Sequence, residues 1–338
     1  MQRQFGSKLI AGEVPVMILG ILLFTSFAAV TVTPSEKPTL TRNDIDQMMV
    51  SLSNWGRWGK NDEMGAMNLI TLKKRKQAAA LVIEAISESL AQNVIKVQVY
   101  NSAPFEHKMI QTGQMPSAEA SVDSYSVQYH GYTQTHLDAL CHIFYKGRMY
   151  NGFSQQEVSA KGAAKLSVIN IKNGIFTKGV LMDLPRLWGV KYLSDARAIY
   201  PEDLEAWERK AGIRVESGDA VLIRTGRWAR WSTEGEWNIG ENSAGLHASC
   251  LPWLKKRDVA ILASDAALDV IPSGVKGVQA PVHLVAIVAM GVPLLDNCNL
   301  EALSEAANKR KRWAFLLTAA PLAVEGGTGS PINPVATF

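Results

Sequence analysis

Three of the six histidines in this 338-residue chain fall within thirteen residues. The run reads His130-Gly-Tyr-Thr-Gln-Thr-His136-Leu-Asp138-Ala-Leu-Cys-His142. Imidazole is the commonest metal ligand near neutral pH, and a carboxylate beside it is the usual companion for zinc or manganese. Spacing decides which members can meet. His136 and Asp138 are two residues apart, so on an extended chain they share a face with Cα atoms about 7 Å apart. His130 would lie about 20 Å from His136 on an unbroken strand and joins only if Gly131 turns the chain back. His142 follows Asp138 by four residues, beyond the strand end or one helical turn on. A lone histidine is most often a satisfied core or surface residue, but the His-x-Asp-x-x-x-His combination favours a site.

Other chemistry is weakly represented. A Ser-His-Asp triad lacks its Gly-x-Ser-x-Gly elbow. Gly326-Gly327-Thr328-Gly329 follows no strand-to-helix pattern and reads as a turn, not a P-loop. Asp265, just after an apolar run, reads equally as a site residue or a structural cap. Trp55 and Trp58 could line a pocket for a planar substrate or serve as core or oligomer contacts. His107 and His247 have no nameable partner.

The elements that must position these residues interleave irregularly. Helical periodicity covers Lys73 to Gln92, with Ala78, Leu81, Val82, Ala85 and Ile86 on one face. Pro201 to Ala211 is a second helix, with proline in its first turn and acidic residues at its positive end. Ser243 to Cys250 and Leu300 to Lys311 read as further helices. Strand-like runs fall at Val94 to Tyr100, Tyr125 to Tyr129, Gly179 to Asp183, Ala220 to Arg224, Val259 to Ala263 and Trp313 to Thr318. Such a mixture predicts an α/β or α+β single domain and not a regular βαβ series.

Composition narrows the class. Residues are 47% apolar and 20% charged, which excludes wholesale disorder. A net charge of +4 is too small for a nucleic-acid binder without a concentrated patch. The basic cluster Lys309 to Arg312 reads as the solvated end of a helix. Cys141, Cys250 and Cys298 are too scattered for a zinc ribbon or disulfide framework. Val14 to Val32 carries no charge, follows Arg3 and Lys8, and ends near Ser26, Ala28 and Ala29. Residues 1–37 therefore read as an export signal cleaved near Ala28 or as a membrane anchor, which makes the protein exported (periplasmic or secreted) or membrane-anchored. The folded domain is expected over residues 38–338.

Thr135-His136-Leu137-Asp138-Ala139-Leu140-Cys141-His142 resembles the signature of the cyclase family of metal-dependent hydrolases, which includes bacterial kynurenine formamidases and isatin hydrolases. Asn54 to Asn68, Gly218 to Gly226, Pro281-Val282-His283 and Gly329 to Pro334 extend the resemblance, and the long Trp-Gly segment is similar to the family's longer branch. The resemblance implies an α/β fold of the swivelling β/β/α type with flanking helices. It implies His136, Asp138 and the distal His283 as ligands for one or two divalent ions, Zn or Mn, with His142 as acid/base. Asp296 stands where the family carries a glutamate ligand. The family's first histidine and glycine fall on Tyr132 and Gln134, so His130, two residues upstream, fills the first ligand's place only if the chain turns locally. The implied activity is hydrolysis of a small amide, formamide or cyclic amide, with a lactone or ester as near neighbour, in a homodimer or homotetramer. The rival reading is an exported metal- or ligand-binding protein without turnover.

Overall fold

Short apolar runs build the centre of the molecule, seen here in a computed structural model that describes residues 12, 37, 39–99 and 102–338. Among them one sheet contains nine strands: β1 (Ser87–Ser89), β2 (His136–Asp138), β3 (Ile175–Asp183), β4 (Ala220–Arg224), β5 (Ile261–Ser264), β6 (Leu294–Asp296), β7 (Ala314–Ala319), β8 (Gly329–Pro331) and β9 (Val335–Thr337). Their spatial order is β1-β9-β7-β3-β4-β5-β6-β2-β8. Strands β3 to β6 are parallel. Covered on both faces, β4 and β5 are buried at every residue, which is why they read as continuous apolar runs. The outer strands pair antiparallel.

Eight α-helical segments among the described residues accompany the sheet: α1 (Arg42–Ser51), α2 (Leu72–Ala79), α3 (Leu184–Trp188), α4 (Pro201–Ala211), α5 (Arg227–Glu234), α6 (Leu251–Lys256), α7 (Pro281–His283) and α8 (Glu301–Arg310). The α/β class with flanking helices is as expected, and residues 38–338 form one compact unit. Helix α4 has the expected bounds, opened by Pro201 and closed by Gly212 in the left-handed region. Helix α8 ends at Arg310, so the basic cluster does lie at a helix end, with Arg310 paired to Glu84.

Several expectations fail for tertiary reasons. The helix expected over Lys73 to Gln92 stops at Ala79, because the chain after it is captured by the carboxy-terminal strand: β1 pairs with β9 and Leu90 N–H donates to Pro334. Ser243 to Cys250 is extended at its start, where Ser243 and Ile271 exchange both backbone hydrogen bonds, and only Ala248–Cys250 coils into a 3₁₀ turn. The described part of Val94 to Tyr100 forms an isolated bridge at Val99 instead of a strand. The strand expected at Tyr125 to Tyr129 falls at Val122–Ser126, paired with Glu106–Gln111 in an exposed hairpin outside the main sheet. The uncharged run Val14 to Val32 lies outside the described residues. No helix among the described residues is long and apolar enough to cross a membrane.

Joining parallel β5 to β6 requires a crossover, and here it contains α7 followed by a π-helix over Leu284–Met290. Wider π turns concentrate at functional sites. The crossover brings His283 to the ends of β2 and β6.

Candidate metal centre

Strand β2 lies between β6 and β8 and carries His136 and Asp138 on one face. Antiparallel register sets Asp296 directly opposite His136, so its carboxylate joins the same face. Donor atoms of His136, Asp138 and Asp296 all lie within 4.8 Å of one another, and the three residues are buried. His136 Nδ1–H donates to the Gln134 carbonyl at 2.8 Å, which leaves Nε2 facing Asp138 Oδ1 at 3.4 Å.

His130 does join the cluster. Gly131 takes φ +126°, a conformation that side chains rarely allow, and the chain turns back. His130 Nδ1 then lies 2.9 Å from Asp138 Oδ1, while Nε2 faces the Thr328 hydroxyl at 3.1 Å. Its ring stacks on His142 at 3.9 Å with 3° between planes. His142 Nε2 is 3.8 Å from the same Asp138 oxygen. His130, Asp138 and His142 thus form a second donor group that shares Asp138 with the first.

His283 arrives from α7, with Nε2 at 3.0 Å from Asp296 Oδ2 and 3.9 Å from Asp138 Oδ2. Its Nδ1 donates to Asp269 at 2.7 Å. All six sequence-derived residues therefore meet in one place. Asp269 was missed, since Leu-Asp-Val in an apolar stretch carries no ligand spacing.

The polar atoms test whether an ion suits this place. Among the described residues, buried His130 Nδ1, Asp138 Oδ1 and Asp296 Oδ1 make no hydrogen bond despite their close neighbours. Each unsatisfied buried polar atom costs about 1–3 kcal/mol, a cost that a coordinated cation removes. Mixed imidazole and carboxylate donors suit zinc or manganese. The residues fit a divalent ion.

Electrostatics agree. Burial opposes ionisation of Asp138, but the His136 charge and the surrounding imidazoles hold its carboxyl well below the ordinary carboxylate range. Burial also opposes charge on His136 and His283, yet the facing carboxylates lift both above the usual histidine value, His283 well above. Burial pushes His142 the other way, down to about 4, so its imidazole is neutral at pH 7.

The cluster floors a cavity of about 220 Å³, also lined by Tyr132, Ile143 and Ile271. Trp55 is not part of that lining; its indole N–H donates to the Val288 carbonyl of the π-helix, a scaffold contact. Trp58 stacks under Arg57. Asp265 is a structural cap, accepting from the backbone N–H groups of Thr225, Gly226 and Arg227 at the start of α5. His107 pairs with Asp123 on the exposed hairpin, and His247 caps the 3₁₀ turn after it.

Fold and site together define a mixed α/β protein with a buried histidine–aspartate cluster suited to a divalent ion. The chain belongs to the cyclase family: the family model, described as "Putative cyclase", matches residues 71–268. A solved structure described as a novel cyclase is 30% identical, with TM-score 0.78, covering 86% of this chain and 99% of that one. Isatin hydrolase A from Ralstonia solanacearum shares the fold at 21% identity and TM-score 0.55, covering 74% of this chain and 91% of its own. An isatin hydrolase bound to the product analogue thioisatinate does so at 17% identity and TM-score 0.54, covering 81% and 98%. No curated protein matches.

Proposed function

We propose that this chain is a metal-dependent hydrolase that cleaves the C–N bond of a small amide, formamide or cyclic amide, with lactones and esters as near neighbours. The observation that carries the reading is the set of buried donor atoms around Asp138, unsatisfied and convergent, lining a cavity of about 220 Å³. His130, His136, Asp138, Asp296 and His283 would hold the ion. A bound divalent ion lowers the pKa of water and polarises a carbonyl oxygen.

The protein's own groups supply proton transfer. His142 is neutral at pH 7 and partly open to the cavity, so its Nε2 can take a proton from the attacking water. The resulting imidazolium returns that proton to the leaving nitrogen, or to the leaving oxygen of a lactone. The fixed Nδ1–H bond of His136 holds its ring while this happens.

One observation favours a second reading of His142. It shares a donor group with His130 and Asp138, a geometry that suits a ligand to a second ion. Export through the amino-terminal segment belongs to the same proposal and is supported by the charge-free run behind Arg3 and Lys8. The test is metal analysis of the purified protein, followed by a panel of amides, formanilides and lactones. A protein that takes up no divalent ion would sink the reading; one that binds an ion and hydrolyses nothing would leave the binding-protein alternative.

A further inference from the structure

Asp269 sits beside the centre without being placed to touch the ion held by the others. Its side chain is buried and aimed at α7. Oδ1 accepts the Val282 N–H at 2.7 Å, and Oδ2 accepts the His283 N–H at 3.1 Å and the His283 ring Nδ1–H at 2.7 Å. The opposite ring nitrogen, Nε2, is thereby turned toward Asp296 and Asp138.

The backbone over-determines this placement. The preceding residue, fully buried Leu268, holds φ +53°, a conformation costly for a branched side chain. Leu246 anchors it on both sides, donating its N–H to the Leu268 carbonyl at 2.7 Å and accepting the Val270 N–H at 3.1 Å. The approach is possible because position 245 is glycine: a Cβ there would stand 2.5 Å from the Asp269 carbonyl carbon and oxygen. Strain held in place beside a polar cluster is a common mark of a functional constraint.

We infer that Asp269 is a positioning residue for the metal centre. A carboxylate can only accept, so it keeps the proton of His283 on Nδ1 and leaves the Nε2 lone pair for the ion. It also fixes the ring plane, because the same carboxylate grips the backbone on which His283 is mounted. Partners of this kind typically matter by about 10–100-fold in metal affinity. The inference rests on the reading that the cluster binds a divalent ion.

The test is zinc affinity, by chelator competition, across a double-mutant cycle of Asp269→Asn and His283→Ala. Asp269→Asn alone should weaken zinc about 10–100-fold, while in the His283→Ala background the same change should have less than about a threefold effect. Equal losses in both backgrounds would mean that Asp269 only supports the fold, and the inference falls. Because the variants could fold poorly, ¹⁵N-histidine spectra of zinc-loaded wild type provide a second readout. His283 should be protonated on Nδ1 and zinc-bound through Nε2; the opposite tautomer overturns the inference. Absence of both zinc and manganese binding by wild type refutes the hydrolase reading itself, an outcome distinct from an ion bound with an additive cycle.

Discussion

Asp296 faces His136 across an antiparallel strand pair, although 160 residues of sequence separate the two. That register turns an i, i+2 pair on one short strand into a three-residue donor set. It also makes Asp296 a member of the site through backbone pairing, so its position depends on the sheet and not on a flexible loop.

Replacing Asp138 by asparagine keeps the volume but removes the charge shared by both donor groups. Metal affinity should fall by orders of magnitude, read as metal content after dialysis against a chelator. Full retention of metal would remove Asp138 from the ligand set.

His142→Ala separates the two roles open to that residue. As acid/base, it should lower turnover by about 10²–10⁴ with unchanged metal stoichiometry. Loss of one ion per chain would instead identify it as a ligand. Metal content and turnover must be measured on the same preparation.

The metal-free protein should become acid-sensitive through His142. Its folded value is near 4 against 6.5 when solvated, so the unfolded chain binds the extra proton first. This contribution is complete above pH 6.5 and is lost as pH falls toward 4. Between pH 7 and pH 5 the loss should be about 2 kcal/mol. Urea unfolding of wild type and His142→Gln at both pH values checks it: the variant should lose less stability than wild type over that interval.

Arg224 should matter for folding and not for metal binding. Buried at the end of the central strand β4, it bonds Asp183 at 2.8 Å and Glu301 at 2.6 Å. Arg224→Ala removes one of the two cations that pair the fully buried Asp183 carboxylate, leaving Arg186 and the Ser304 hydroxyl, and should cost about 1.5–3 kcal/mol in urea unfolding. Zinc affinity of the folded fraction should be unchanged.

The local pattern of the sequence carried much of this protein. The buried strands β3, β4, β5 and β7 were legible because both of their faces are covered, which demands continuous apolar runs. Helix α4 was legible because its proline start and glycine stop are local signals. His136 and Asp138 were legible because strand alternation alone puts them on one face. Tertiary structure decided the rest. The periodicity after Ala79 lost to pairing with β9, a partner nearly 250 residues away that no local window contains. Whether His130 reached the site depended on the φ of Gly131, which its sequence permits but does not require. Asp296 and His283 were matched by resemblance, but only register and the π-helical crossover bring them to Asp138. Asp269 had no local signature, since its function depends on a ring nitrogen fourteen residues away that only the folded backbone turns toward it.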